Sequence, residues 1–225
     1  MVLKPLNKDI LSALFISMKI SLGAVFIGVI LGIFLGWKIG KIDTLKKKIL
    51  EVVITLPIFF PPSAVGYILL ILLGRRGAVG GYLYKYFHLN IIFTPLGGVI
   101  ATTVVILPII YQSIKNGLLG LDIMYVEVSR ELGLTPWQTL IYVQLPLIKK
   151  HIYTGMVLGF GRAVGEFGAT LMVAGNIPGK TQTIPMAIYS SVEIGDYTSA
   201  NTILGINCII TFITLLLYNY SLKRD

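Results

Sequence analysis

Five apolar runs, at about 10–36, 54–73, 97–114, 152–173 and 203–220, constrain this chain more than any other feature of it. A helix needs roughly 20 predominantly apolar residues to cross a bilayer core. Backbone groups at that depth must be satisfied within the chain itself, which helices do. The composition fits the same solvent. Hydrophobic residues make up 55% and charged residues 13%, against roughly 25% charged in a soluble domain, and mean hydropathy is +0.83. The expected fold class is all-α: a polytopic membrane protein of five transmembrane helices, with one transmembrane domain over 1–225 and no room for a separate soluble one. The first run is too long for a signal-peptide core and lacks a small-residue cleavage site, so it is expected to remain as a helix.

An odd number of spans puts the termini on opposite sides, and the basic residues assign them. Lys38, Lys41, Lys46, Lys47, Lys48, Lys115, Arg130, Lys149, Lys150, Lys223 and Arg224 fall on one side; Lys4, Lys8, Arg75, Arg76, Lys85 and Lys180 fall on the other. This bias predicts an outside amino terminus and a cytoplasmic carboxyl terminus. The net charge of +9 is therefore a topology signal, and without aromatic-interleaved basic patches it does not point to nucleic acid. In the first run Ala24, Gly28, Gly32, Gly36 and Gly40 form a ridge that lets another helix approach closely, in the same chain or in a dimer. Pro57, Pro61 and Pro62 remove backbone donors where the second run begins, predicting a broken or kinked start. Such a break survives at membrane depth where protein or a water-filled cavity satisfies the freed carbonyls.

Between the third and fourth runs, 115–150 reads as a helical hairpin. Asp122 is placed to cap a helix reaching Leu132, and Gly133 to take the left-handed C-terminal position. Thr135 and Pro136 open a second helix, which Leu145 and Pro146 are expected to stop. The spacing of Glu127, Val128 and Ser129, then Gly133, then Leu145 and Pro146 resembles the EAA motif of ABC importer permeases, with Val128 and Ser129 standing for its two alanines. The resemblance implies that this coupling segment, 122–146, docks in a cleft of a cytoplasmic ATPase, with Glu127, Ser129, Gly133, Leu145 and Pro146 as its motif residues.

The stretch Gly161-Arg162-Ala163-Val164-Gly165-Glu166-Phe167-Gly168-Ala169-Thr170, its continuation from Asn176 to Pro185, and Gly74-Arg75-Arg76-Gly77 closely resemble the permease subunits of molybdate importers. The resemblance covers nearly the whole chain and matches the short, five-span members. Sulfate permeases share the Gly-Glu-Phe-Gly core, so the resemblance implies oxyanion import, of molybdate, tungstate or sulfate. It further implies a homodimer with its path at the two-fold axis, separate ABC ATPase subunits that carry ATP and Mg, and an extracytoplasmic oxyanion-binding protein. No cofactor is expected in this chain.

Arg162 and Glu166 stand four residues apart, on one helix face, inside an expected span where lone charges are costly. They are expected to neutralise each other or a neighbour, as a structural pair or as part of the pathway. Neutral donors suit transient contact with an oxyanion, which makes Ser63, Thr170, Asn176, Thr181 and Thr183 pathway candidates, unless each bonds back to its own helix. Ala174 to Thr181 fits a relaxed phosphate-loop pattern, but in the wrong context: such a loop follows a strand and opens a helix. Cys208 is the one cysteine, so a disulfide within the chain and a thiolate cluster are excluded. The spacing of His88, His151 and the acids matches no metal site. No nucleophile stands beside a base, so catalysis by this chain is not expected. A self-sufficient ion-coupled transporter is the rival, but repeated halves and a second proline cluster are missing.

Overall fold

The computed structural model describes residues 8–39 and 44–222. Gly40, Lys4, Lys41, Lys223 and Arg224, which entered the ridge and the charge count above, lie outside them. Helices make up most of the described chain and no strand occurs among the described residues. In order they are α1 (Lys8–Ile39), α2 (Leu45–Thr55), α3 (Pro62–Leu73), α4 (Ala78–Phe87), α5 (Pro95–Leu119), α6 (Ile123–Glu131), α7 (Pro136–Thr139), α8 (Leu145–Leu147), α9 (Lys149–Val164), α10 (Gly168–Ala174), α11 (Ile184–Glu193) and α12 (Tyr197–Leu222). A 3-10 turn (Leu56–Ile58) extends α2, and a π-helical turn (Leu140–Gln144) joins α7 to α8.

Helices α1, α5 and α12 are long and apolar enough to cross a membrane, and two bent pairs account for the other two apolar runs. In the first pair α2 and its 3-10 turn meet α3 at 115°. Pro61 takes the cap position and Pro62 the first turn of α3, so the break falls where the prolines remove donors. The second pair is a correction: 152–173 is not one continuous helix, because α9 and α10 meet at 66°. No proline causes this break. Gly165 to Phe167 leave the helix, and the Glu166 carboxylate accepts the Ala169 N–H at 2.9 Å to start α10 afresh. Leu145 and Pro146 also do not stop their helix, which runs on to Leu147. The wider π turn, with the Leu145 N–H donated five residues back to Leu140 O, carries the chain into the proline. Helices α4 and α11 lie between the apolar runs, where the sequence analysis assigned no element.

The small-residue ridge of α1 packs on α5 of the same chain. A methyl group added at Gly28 would lie 2.9 Å from Ile110 Cδ1, and one at Gly32 would lie 3.1 Å from Ile110 Cγ2. Close helix approach of this kind replaces hydrophobic drive, which lipid cannot supply. Thr94 caps α5 by accepting the Gly97 N–H at 3.2 Å, with Pro95 in its first turn. Around α5 sit two cores. One joins Ala24, Ile106, Ile110 and Ile114 to Leu140 and Ile148 beneath the hairpin. The other joins Val65 and Leu73 of α3 to Ala101, Val105, Ala169 and Val173. Lys115 pairs with Glu51 and so ties α2 to α5 at the hairpin end. At the opposite end Asp9 shares a cavity with Pro178, Gln182 and Asp196.

Candidate functional site

The hairpin is built by local capping. Asp122 Oδ1 accepts the Met124 N–H at 2.9 Å. The Gly133 N–H donates to Arg130 O at 2.9 Å, and Gly133 then adopts φ +80, which turns the chain so that the Leu134 N–H reaches Ser129 O at 3.0 Å. Thr135 and Gln138 form a reciprocal capping box over the first turn of α7. Ser129 is buried, its hydroxyl donating to Tyr125 O at 2.5 Å. Glu127 and Pro146 are exposed and Leu145 half-buried.

The hairpin faces two ways. Ile123, Met124, Val128, Leu132 and Tyr142 are exposed, making an apolar surface beside Glu127 and Arg130. On the inner side Leu140 and Ile148 are buried against α1 and α5, and Trp137 meets Trp37 of α1 edge-on at 5.5 Å. Sequence reasoning missed this tryptophan contact. Its signal was a lone Trp at the basic end of α1 and another one residue after a helix-opening proline.

The second cluster sits at the two helix breaks. Arg162 Nη1 lies 2.7 Å from Glu166 Oε2, with the Arg162 side chain 35% exposed and that of Glu166 1%. Glu166 Oε1 takes the Ala169 N–H, so this one carboxylate neutralises the arginine and caps α10. Sequence reasoning paired the two residues but missed the cap. The starts of α3 and α10 touch: a methyl group at Gly168 would lie 2.9 Å from Ser63 N. Ser63, Arg162, Glu166 and Phe167 thus line one cavity of about 430 Å³. Phe167 packs at a tilt against Tyr189 of α11, with ring centroids 5.4 Å apart, and the hydrogen bond that the Tyr189 phenol donates to Glu193 holds it above its usual pKa.

The remaining candidates are dispersed and mostly committed. Thr170 is buried and bonds Thr102 at 3.2 Å. Thr181 accepts the Ile177 N–H and donates to Gly175 O, both at 3.1 Å. Asn176 donates to Ser190 Oγ at 2.7 Å and accepts from Gln182 at 3.0 Å. These bonds fold 175–183 back on itself after α10. That stretch follows a helix, as a phosphate loop does not. Thr183 is buried, and its hydroxyl has no partner among the described residues. Of the five neutral donors, Ser63 alone is brought to Arg162 and Glu166.

The chain belongs to the family of binding-protein-dependent transport system inner membrane components, whose model matches residues 24–223. It is 35% identical to the molybdenum transport system permease protein ModB of Haemophilus influenzae, over 95% of this chain and 94% of that one. With ModB of Escherichia coli K12 it shares 36% identity over 91% of this chain and 90% of that one. Among solved structures it resembles a chain of a bacterial alginate ABC transporter in complex with an alginate pentasaccharide-bound periplasmic protein. The TM-score there is 0.75 at 17% identity, covering 97% of this chain and 80% of the other. That likeness is one of fold. The protein is a multi-pass membrane protein with an importer-permease architecture.

Proposed function

We propose that this chain is the membrane subunit of an ABC importer that moves molybdate or tungstate across the cytoplasmic membrane. The observation that carries the reading is identity of 35–36% with two molybdenum permeases over at least 91% of the chain. Two copies enclose the path at a two-fold axis. In a single chain the Arg162 and Ser63 cavity opens on the outer surface of the helix bundle. A charged group and a broken helix are costly against lipid, so a second copy covering that face is the economical arrangement. Two separate ATPase subunits, holding ATP and Mg, dock on the exposed hairpins at 127–146. An extracytoplasmic binding protein delivers the anion. Closure of the ATPases rocks the packed helices between two arrangements, a rigid-body transition.

The orientation follows from charge. Lys38, Lys46, Lys47, Lys48, Lys115, Arg130, Lys149 and Lys150 face the cytoplasm, and Arg75, Arg76 and Lys180 face out. Single cysteines introduced into a Cys208-free background test this in intact cells. An impermeant reagent is expected to reach position 180 and not position 47, and the reverse pattern would overturn the orientation. For transport itself, vesicles holding the permease with its ATPase and binding protein are expected to accumulate molybdate only with ATP, and tungstate is expected to compete. Uptake blocked equally by a matching concentration of sulfate would reassign the substrate to sulfate, and uptake without ATPase would favour an ion-coupled carrier.

A further inference from the structure

The cavity at the two helix breaks contains donors that the fold leaves uncommitted. Glu166 is engaged on both oxygens: Oε1 accepts the Ala169 N–H, and Oε2 forms an ion pair with Arg162 Nη1 at 2.7 Å, though not a well-directed hydrogen bond. Arginine is different: a guanidinium carries five N–H donors and no acceptor. Apart from Glu166, no acceptor meets it among the described residues. Its 35% exposure opens into the 430 Å³ cavity. Ser63 lines the same space, exposed, with its hydroxyl unpartnered among the described residues. The neutral candidates Thr170, Asn176 and Thr181 are already held by protein groups. Unsatisfied donors at membrane depth call for an acceptor, and a guanidinium fork matches two oxygens of a tetrahedral anion.

We propose that Arg162 contacts the transported tetrahedral dianion in transit, through the N–H groups that Glu166 leaves free, with Ser63 as a second donor. The assignment rests on the oxyanion-importer reading above. Glu166 is the positioning residue. It fixes the guanidinium on one side and keeps the pair neutral overall, so the anion is held weakly and released. A full positive charge without that neighbour would trap a dianion.

The test uses the intact permease and ATPase complex in lipid nanodiscs, with radiolabelled molybdate as probe and no binding protein. Glu166→Gln keeps an amide oxygen for the Ala169 N–H while removing the competing charge. It is expected to bind molybdate ~10-fold more tightly than the unaltered complex, and to transport it more slowly in vesicles. The double variant Arg162→Gln with Glu166→Gln is expected to lose that gain entirely. Ser63→Ala, at an exposed position whose hydroxyl holds nothing in the fold, is expected to bind about fivefold more weakly. Equal affinity in Glu166→Gln and the double variant, or unchanged affinity in Ser63→Ala, would overturn the assignment. Failure of the importer reading shows separately, as unaltered complex that accumulates none of molybdate, tungstate or sulfate with ATP and binding protein present.

Discussion

Gly133→Val is expected to leave the permease inserted in the membrane while ATPase association and anion uptake fall together, by on the order of tenfold. The structure separates two ways in which a side chain could harm this turn. A Cβ at Gly133 would meet no atom within 4 Å, so steric clash contributes nothing. What remains is the backbone, at φ +80. A left-handed conformation costs an ordinary residue roughly 1–2 kcal/mol, and a β-branched one at least that. If the turn relaxes to negative φ, the bond from Leu134 N–H to Ser129 O is lost. α7 is then re-aimed relative to α6. A strain of that size is tenfold in an equilibrium constant, and it acts on the hairpin rather than on the spans. Gly133→Asn, which tolerates the left-handed region, should retain most activity. The measurement is co-purification of the ATPase alongside uptake in reconstituted vesicles. Normal association and rate in Gly133→Val would remove the main support for coupling through this turn.

Gly66→Val is expected to yield little folded protein. Gly66 lies where α3 crosses α10, and a methyl group there would sit 2.7 Å from Ala169 Cα and 2.9 Å from Ala169 O. Both are backbone atoms, which cannot turn aside as a side chain does. Overpacking in a close-packed interior typically costs about 1–3 kcal/mol, and obstruction by backbone belongs at or above the upper end. The damage should spread beyond the crossing, because Ala169 carries the N–H that Glu166 caps. Gly205→Val on α12 is the control: it has ordinary helical backbone and no neighbour within 4 Å of an added methyl group. Thermal unfolding of the two variants in detergent, followed by loss of the monodisperse peak, decides the matter. Similar midpoints for Gly66→Val and the unaltered protein would show that the two half-helices do not depend on that crossing.

What the sequence disclosed depended on how local its causes were. Asp122, Gly133, Thr135 and Pro136 act within four residues of themselves, so the hairpin could be read from capping and turn chemistry alone. The break before α3 was likewise legible, because consecutive prolines remove donors wherever they stand. The break between α9 and α10 was hidden. Its cause is a carboxylate that turns back to serve an amide three residues on, and the apolar run on either side reads through it. The continuation past Pro146 was hidden for a related reason, since a π turn leaves no mark in hydropathy. The pathway donors could be chosen by residue type but not by availability. The partners of Thr181 and Asn176, a carbonyl and a side-chain amide within 175–183 and the Ser190 hydroxyl on α11, come together only once the chain after α10 has folded back.

The π turn has a mechanical consequence. Two hydrogen bonds bracket the junction with α9: the Ile148 N–H donates to Gln144 O at 3.0 Å and the Ile152 N–H to Ile148 O at 3.1 Å, while Ile148 itself leaves the helix at φ −95 and ψ 13. A single residue, Ile148, therefore separates the second arm of the hairpin from α9, which has 16 residues and so is about 24 Å long. Arg162 lies in its last turn. Leu140 and Ile148, buried beside α5, form a fulcrum near the foot of this lever. A tilt applied at the exposed face of the hairpin is expected to reach the guanidinium at the far end through this short joint.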